Sequence, residues 1–410
     1  MPPSVTPLRT RMTGRDPREG GRAATPLELL FDLTFVIAFG RTAEELAHLL
    51  ADGHVGPAVA GFCFATFAVS WAWINFTWFA SAYDTDDWLF RLTTMVQMVG
   101  VLILALGLTP MFESLAEGDH IDNRVMVLGY VVMRVPMVLQ WSRAALADPA
   151  RRQSVAVFIA TLLAAQVGWI ALALTDLPTG TTFALMVPLV LLELVGPVVA
   201  ERVHGGTPWH PHHIAERYGL LVIIALGEGL MGTTFALSAV IEEQGWTAET
   251  ALLGLAGTSL TFGLWWAYFV MPSGDLLAAR RRRSFSWGYG HIVLFGAIVA
   301  VGGGLHAAAF FLQEHSELSL TGTVLTVAVP VAVYLLGVYA LYAALTRSLD
   351  PFHLVLVAVS GAVVVAGVLL AVAGAPLVWS LVVVSLTPWV TVVGYELAGH
   401  RHEERVLASL

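Results

Sequence analysis

"TPLELLFDLTFVIAFGR", Thr25 to Arg41, is apolar enough for a membrane span, yet it carries Glu28, Asp32 and Arg41. The pattern returns in "HHIAERYGLLVIIALGEG", His212 to Gly229, with Glu216, Arg217 and Glu228 in a similar frame. A charge at mid-membrane costs about 2.5–3.5 kcal/mol on insertion scales. A chain that places several on two helices must give them partners or a water-filled cavity.

The rest of the sequence places these helices in a bilayer. It is 57% hydrophobic and only 12% charged, with a mean hydropathy of +0.74, whereas soluble domains carry about a quarter charged residues. This is an integral membrane protein in contact with lipid, and no nucleic-acid partner is expected. The single cysteine, Cys63, excludes an intrachain disulfide and a Cys-based zinc site. All 21 basic residues are Arg, a bias typical of a GC-rich bacterial genome. Residues 1–24 are rich in Pro, Gly and Arg without an apolar run, which reads as a disordered cytoplasmic tail.

A spanning helix needs about 20 apolar residues. Twelve segments qualify: 26–50, 57–82, 88–109, 122–146, 153–174, 181–202, 213–240, 249–271, 286–312, 321–346, 353–374 and 377–398. The fold class is therefore all-α and polytopic. Arginines test the count independently. They crowd the N-terminal tail and every second loop, with Arg91, then Arg143, Arg151 and Arg152, then Arg202 and Arg217, then Arg280 to Arg283, then Arg347. The alternate loops are acidic. By the positive-inside rule both termini are cytoplasmic, in a bacterial cytoplasmic membrane.

The two opening stretches also suggest a duplication. "IAFG" at 37–40 matches "IALG" at 224–227, an offset of 187 (Gly40 to Gly227). An even number of helices per half gives both halves one orientation. The expected organisation is two parallel six-helix repeats, 25–204 and 205–399, with a cytoplasmic tail at 400–410.

On the first helix, Glu28 and Asp32 are spaced i,i+4 and share a face. No base lies on that face, so the two carboxyls are expected to share a proton. Under the 187-residue offset Arg41 and Glu228 are equivalents, and they are expected to form a buried pair across the repeat axis. Arg134 and Glu193, each mid-helix, are expected to be a structural ion pair. The loop "HGGTPWHPHHIAER" offers His210, His212 and His213 as weak metal candidates, although a solvated interfacial loop is the more ordinary reading. No cofactor motif occurs. "VGGG" at 301–304 reads as a hinge or a close helix crossing.

"TPLELLFDLTFVIAF" together with "HIAERYGLLVIIALGEG" resembles the two signature segments of the bacterial low temperature requirement A family. The matching positions are Glu28, Phe31 and Asp32, then His213, Glu216, Arg217, Gly227 and Glu228. A departure is Gly229, where the family often carries Ser. The resemblance implies a membrane protein whose family name records a growth requirement in the cold. A weaker likeness runs to the lysosomal potassium channel family, in which the first and seventh helices line a pore. Phe31-Asp32 echoes its Phe-Ser-Asp motif without the Ser. The expected function is a proton- or cation-coupled secondary transporter for a small solute or cation, its site lying between helices one and seven. That site is drawn from Glu28, Asp32, Arg41, Glu216, Arg217 and Glu228. The alternatives are a cation channel built on the same helices and a membrane-embedded enzyme acting on lipid; an enzyme is not expected.

Overall fold

The computed structural model describes residues 10–20, 22–203, 205–347 and 350–399. Among these residues there is no strand. The helices are α1 (Pro26–Ala51), α2 (Val55–Tyr83), α3 (Trp88–Leu106), α4 (Leu108–Glu117), α5 (Arg124–Ala147), α6 (Arg152–Ala173) and α7 (Thr179–Arg202). There follow α8 (Pro211–Gln244), α9 (Ala248–Phe269), α10 (Ser273–Ala279), α11 (Ser284–Leu312) and α12 (Leu320–Thr346). The last are α13 (Pro351–Val372), α14 (Leu377–Ser385) and α15 (Thr387–Gly394).

Among the described residues eleven segments are long and apolar enough to cross a membrane, with α3–α4 and α14–α15 each forming part of one span. Helix α1, 26 residues long, is long enough to be the twelfth and differs from the others in its charges, Glu28, Asp32, Arg41, Glu44 and Glu45. The chain is thus a multi-pass helical membrane protein, and the seventh span is α8.

Helix ends follow local rules. Thr25 caps α1, Pro26 takes the first helical position, and Glu28 sits three residues after the cap. The Glu28 N–H donates to Thr25 Oγ1 at 3.3 Å and the Thr25 N–H donates back to Glu28 Oε2 at 2.8 Å. This capping box satisfies two amides that a helix start otherwise leaves bare. At the far end, Gly53 takes φ +75°. The His54 N–H reaches Leu49 O and the Gly53 N–H reaches Leu50 O, the Schellman pattern that closes a helix on a left-handed residue.

The chain divides into two compact units, Met1–Ala38 with Trp71–Arg217, and Phe39–Ser70 with Tyr218–Leu410. In the first, α3 packs on α5, α5 on α6, and α6 on α7. In the second, α11 packs on α12, α12 on α13, α13 on α14, and both α14 and α15 on α9.

Helix α11 is the most enclosed span of the second unit. Its run Gly302-Gly303-Gly304 turns about 100° per residue and meets a different helix at each step. A Cβ on Gly302 would lie 2.7 Å from the Cβ of Glu228 on α8, and one on Gly303 would lie 2.9 Å from the Ala43 carbonyl on α1. One on Gly304 would collide with the Thr326 carbonyl on α12. The run "VGGG" is therefore a crossing point where bare backbone lets three helices close in.

Candidate functional site

The first unit holds a cluster in which four ionisable side chains have no solvent exposure at all: Glu28, Asp32, His213 and Arg217. The pairs Glu28/Asp32 on α1 and His213/Arg217 on α8 are each spaced i,i+4, so each helix presents its two groups on one face. Arg217 bridges the carboxylates. Its Nη1 is 2.9 Å from Glu28 Oε1, and its Nη2 donates to Asp32 Oδ1. His213 Nε2 is 3.3 Å from both oxygens of Glu28. From α2, the Trp73 Nε1–H donates to Asp32 Oδ1 at 2.6 Å, and the Trp73 ring lies 5.7 Å from the guanidinium carbon. The two acids on α1 are thus joined by a base from another helix, in place of the proton that the α1 sequence alone suggests they share.

The cluster remains incomplete in two respects. Asp32 Oδ2, His213 Nδ1 and Arg217 Nε are buried with no hydrogen-bond partner. Two carboxylates face one guanidinium, so with a neutral imidazole one negative charge is left over. A buried charge requires pairing; here a proton or a small cation would balance the set.

Next to the cluster, just past the end of α2, Asp84 is 6% exposed. Burial, with the Glu28 charge adding to it, pushes the Asp84 carboxyl up to about 6. The segment ahead of α1 covers this region. The Arg15 N–H donates to Ala82 O, Arg22 Nη2 donates to Ala80 O at 2.9 Å, and Met12 is 1% exposed. The composition of 1–24 suggests disorder, but residues 10–20 and 22–24 are anchored to the helix ends of this unit. Residues 1–9, His204 and the C-terminal tail 400–410 lie outside the described residues.

A second buried charge pair in the same unit is built differently. Arg134 Nη2 donates to Glu193 Oε1. The carboxylate also accepts from Trp71 Nε1 at 2.9 Å and Trp169 Nε1 at 3.2 Å. Arg134 Nη1 donates to Leu162 O at 3.4 Å, and its guanidinium lies 5.0 Å from the Tyr130 ring centroid. One acid meets one base, and both are bonded on several sides.

Other expected site residues lie elsewhere. Arg41 turns to its own helix, with Nη1 2.6 Å from Glu44 and Nη2 3.6 Å from Glu45. It forms no ion pair with Glu228, because these local acids sit at the i+3 and i+4 positions where a helix brings partners together. Glu228 is 5% exposed and rests against Gly40 of α1. Glu216 is exposed, on a different face of α8 from Arg217. At Gly229 a Cβ would come 2.6 Å from Thr261 Oγ1, so the family's Ser would crowd that hydroxyl.

The histidines do not converge. His210 Nδ1 accepts from the His213 N–H at 3.2 Å, His210 Nε2 lies 2.9 Å from Glu19 O, and His212 is exposed. Among the described residues no group of three or more His, Cys, Asp or Glu is arranged to hold a metal. Sequence reasoning did not assign Trp73 and Asp84 to this site. The available signal is Trp73 and Thr77 at i,i+4 on α2, Thr77 Oγ1 lying 3.5 Å from Arg217 Nη2, with Asp84 just past the end of that helix.

These features define a polytopic helical membrane protein with an acid–base cluster where its first and seventh spans begin. The family model described as bacterial low temperature requirement A protein (LtrA) matches residues 23–387, and the chain belongs to that family. An uncharacterized protein of Rhizobium meliloti (strain 1021) is 27% identical over 287 residues, 66% of this chain. The chain spans 66% of that relative's length. No solved structure matches the chain.

Proposed function

We propose that the protein is a proton- or cation-coupled secondary transporter of the bacterial cytoplasmic membrane, working on α1 and α8 at Glu28, Asp32, His213 and Arg217. One observation carries the reading: two carboxylates face one permanent cation, Arg217, and a histidine whose charge depends on a proton, all without solvent exposure. Such a set has two charge states, one completed by a proton or cation and one not. Alternation between them is what coupling requires. A balanced pair has a single stable state and cannot serve.

We read the chain as a transporter and not an enzyme. Both carboxylates are already engaged, by Arg217, His213, Trp73 and Thr25, which suits ion binding better than nucleophilic attack. The parallel register of the pairs Glu28–His213 and Asp32–Arg217, both 185 residues apart, supports corresponding roles for α1 and α8 in two six-helix repeats. With both termini cytoplasmic by the arginine bias, Asp32 lies about 9 Å from the cytoplasmic end of α1 at 1.5 Å per residue.

Reconstitution into proteoliposomes with an imposed pH gradient, screened against ions and small solutes, tests the function. Asp32→Asn should give a folded protein whose flux no longer responds to the gradient. Flux with an unchanged pH profile in that variant would remove Asp32 from the coupling role. Orientation is tested separately. A cysteine at Ala248, in a Cys63→Ser background, should react with an impermeant maleimide on intact cells.

A further inference from the structure

The second unit contains a carboxylate that the cluster above does not use. Glu228 lies on α8 and is 5% exposed. Among the described residues its carboxylate has no hydrogen bond and no ion pair. Two helices pack against it, and both do so through glycine. A Cβ on Gly40 of α1 would come 3.2 Å from Glu228 Oε1, and Gly302 of α11 abuts the Glu228 Cβ.

The charged and titratable groups on these helices do not neutralise it. On α1, Arg41 is held by Glu44 and Glu45, and His48 lies 4.0 Å from Glu44. The charge that acts on Glu228 is that of Glu44, another acid. On α11, His291 is bonded to Tyr268 and the Trp287 carbonyl, and His306, one turn beyond Gly302, packs its ring on Phe235 at 4.6 Å and has its Nε2 buried without a hydrogen bond.

A buried carboxylate with an acid for a neighbour and no base bonded to it must be neutralised by something small. The glycines leave room for no side chain. A metal ion such as calcium or magnesium demands about six oxygen ligands; one carboxylate supplies two, and no metal-holding group occurs among the described residues. A proton needs one oxygen. We infer that Glu228 is a proton-binding site in its own right, distinct from the Glu28/Asp32 cluster, holding its carboxyl in the neutral acid form between α1, α8 and α11. This inference does not rest on the transport reading, and its test needs no flux.

Infrared difference spectroscopy of the purified full-length protein reads the carboxyl directly. Near neutral pH the wild type should carry a protonated-carboxyl C=O band that is lost in Glu228→Gln, retained in Asp32→Asn, and lost from the wild type as the pH is raised. A band unchanged by Glu228→Gln, or a Glu228 carboxylate signal at neutral pH, would overturn the inference. If Glu228→Gln does not fold, dicyclohexylcarbodiimide provides a second test on the wild type, because it adds only to protonated carboxyls in apolar surroundings. Mass mapping should place the adduct on Glu228 near neutral pH and show its loss in alkali; an unmodified Glu228 overturns the proposal.

Discussion

The Arg134–Glu193 pair and the Glu28/Asp32/His213/Arg217 cluster are buried in the same unit, and α2 serves both. Trp71 donates to Glu193 and Trp73 to Asp32. These tryptophans are two residues apart, so they leave the helix about 200° from each other. The surroundings are alike and the charge sums are not. Glu193 has one base and two indole donors; Glu28 and Asp32 must share one guanidinium. A pair that sums to zero with its bonds made has nothing left to exchange. A set that sums to minus one whenever its imidazole is neutral, with Asp32 Oδ2, His213 Nδ1 and Arg217 Nε buried and lacking hydrogen bonds, stays open to a proton or an ion.

The largest test removes the shared base. Arg217→Met leaves two buried acids without their guanidinium. Breaking one buried pair costs about 3–5 kcal/mol, so a loss at the top of that range or outright failure to fold is expected in thermal unfolding in detergent. Adding Asp32→Asn should recover much of it. Without recovery, the damage comes from lost packing and not from charge.

The comparison is sharpest when one acid is neutralised in each place. Glu193→Gln strands Arg134 and should cost about 3 kcal/mol or more. Asp32→Asn removes the surplus charge and should leave stability nearly unchanged or raised. Equal losses from the two substitutions would erase the distinction.

Asp84 gives a pH test of the same acidic excess. Its carboxyl, raised by burial and by Glu28 to about 6 from the usual 3.8, binds a proton more tightly in the folded state. Its contribution is therefore full below about pH 4 and lost as the pH climbs through about 6, on the order of 3 kcal/mol in all. Asp84→Asn should flatten that part of the stability–pH curve and exceed the wild type above pH 6. The smallest effect is expected from Thr25→Ala. It opens the capping box that orients Glu28 and should cost about 1 kcal/mol, with no counterpart at Glu193, which no cap holds.

The spans were legible in the sequence because length and hydropathy decide them, and arginine placement checked the count. The charged faces of α1 and α8 were legible from their i,i+4 spacing. Which charges meet was harder to read, and the reason is local competition. Arg41 has Glu44 and Glu45 at i+3 and i+4, so it is satisfied on its own helix. Arg217 has no acid at those offsets; its neighbour Glu216 points to another face, so its partners must come from elsewhere. Applied to the sequence, that rule favours Arg217 over Arg41 as the base of the cluster. Trp73 left no comparable trace, because an indole donor to a buried acid looks the same in sequence as an interfacial anchor.

The three consecutive glycines of α11 bear on how this chain is made. Their neighbours Ala43 and Glu228 are synthesised before α11, but Thr326 belongs to the next helix to leave the ribosome. A newly inserted α11 can dock two of its sides at once, while the Gly304 side stays against lipid until α12 arrives. The most apolar stretch of α11 ends 83% buried, against 22% for α7 and α13. A chain that stalls between α11 and α12 would present bare backbone to the bilayer, a ready mark for membrane quality control.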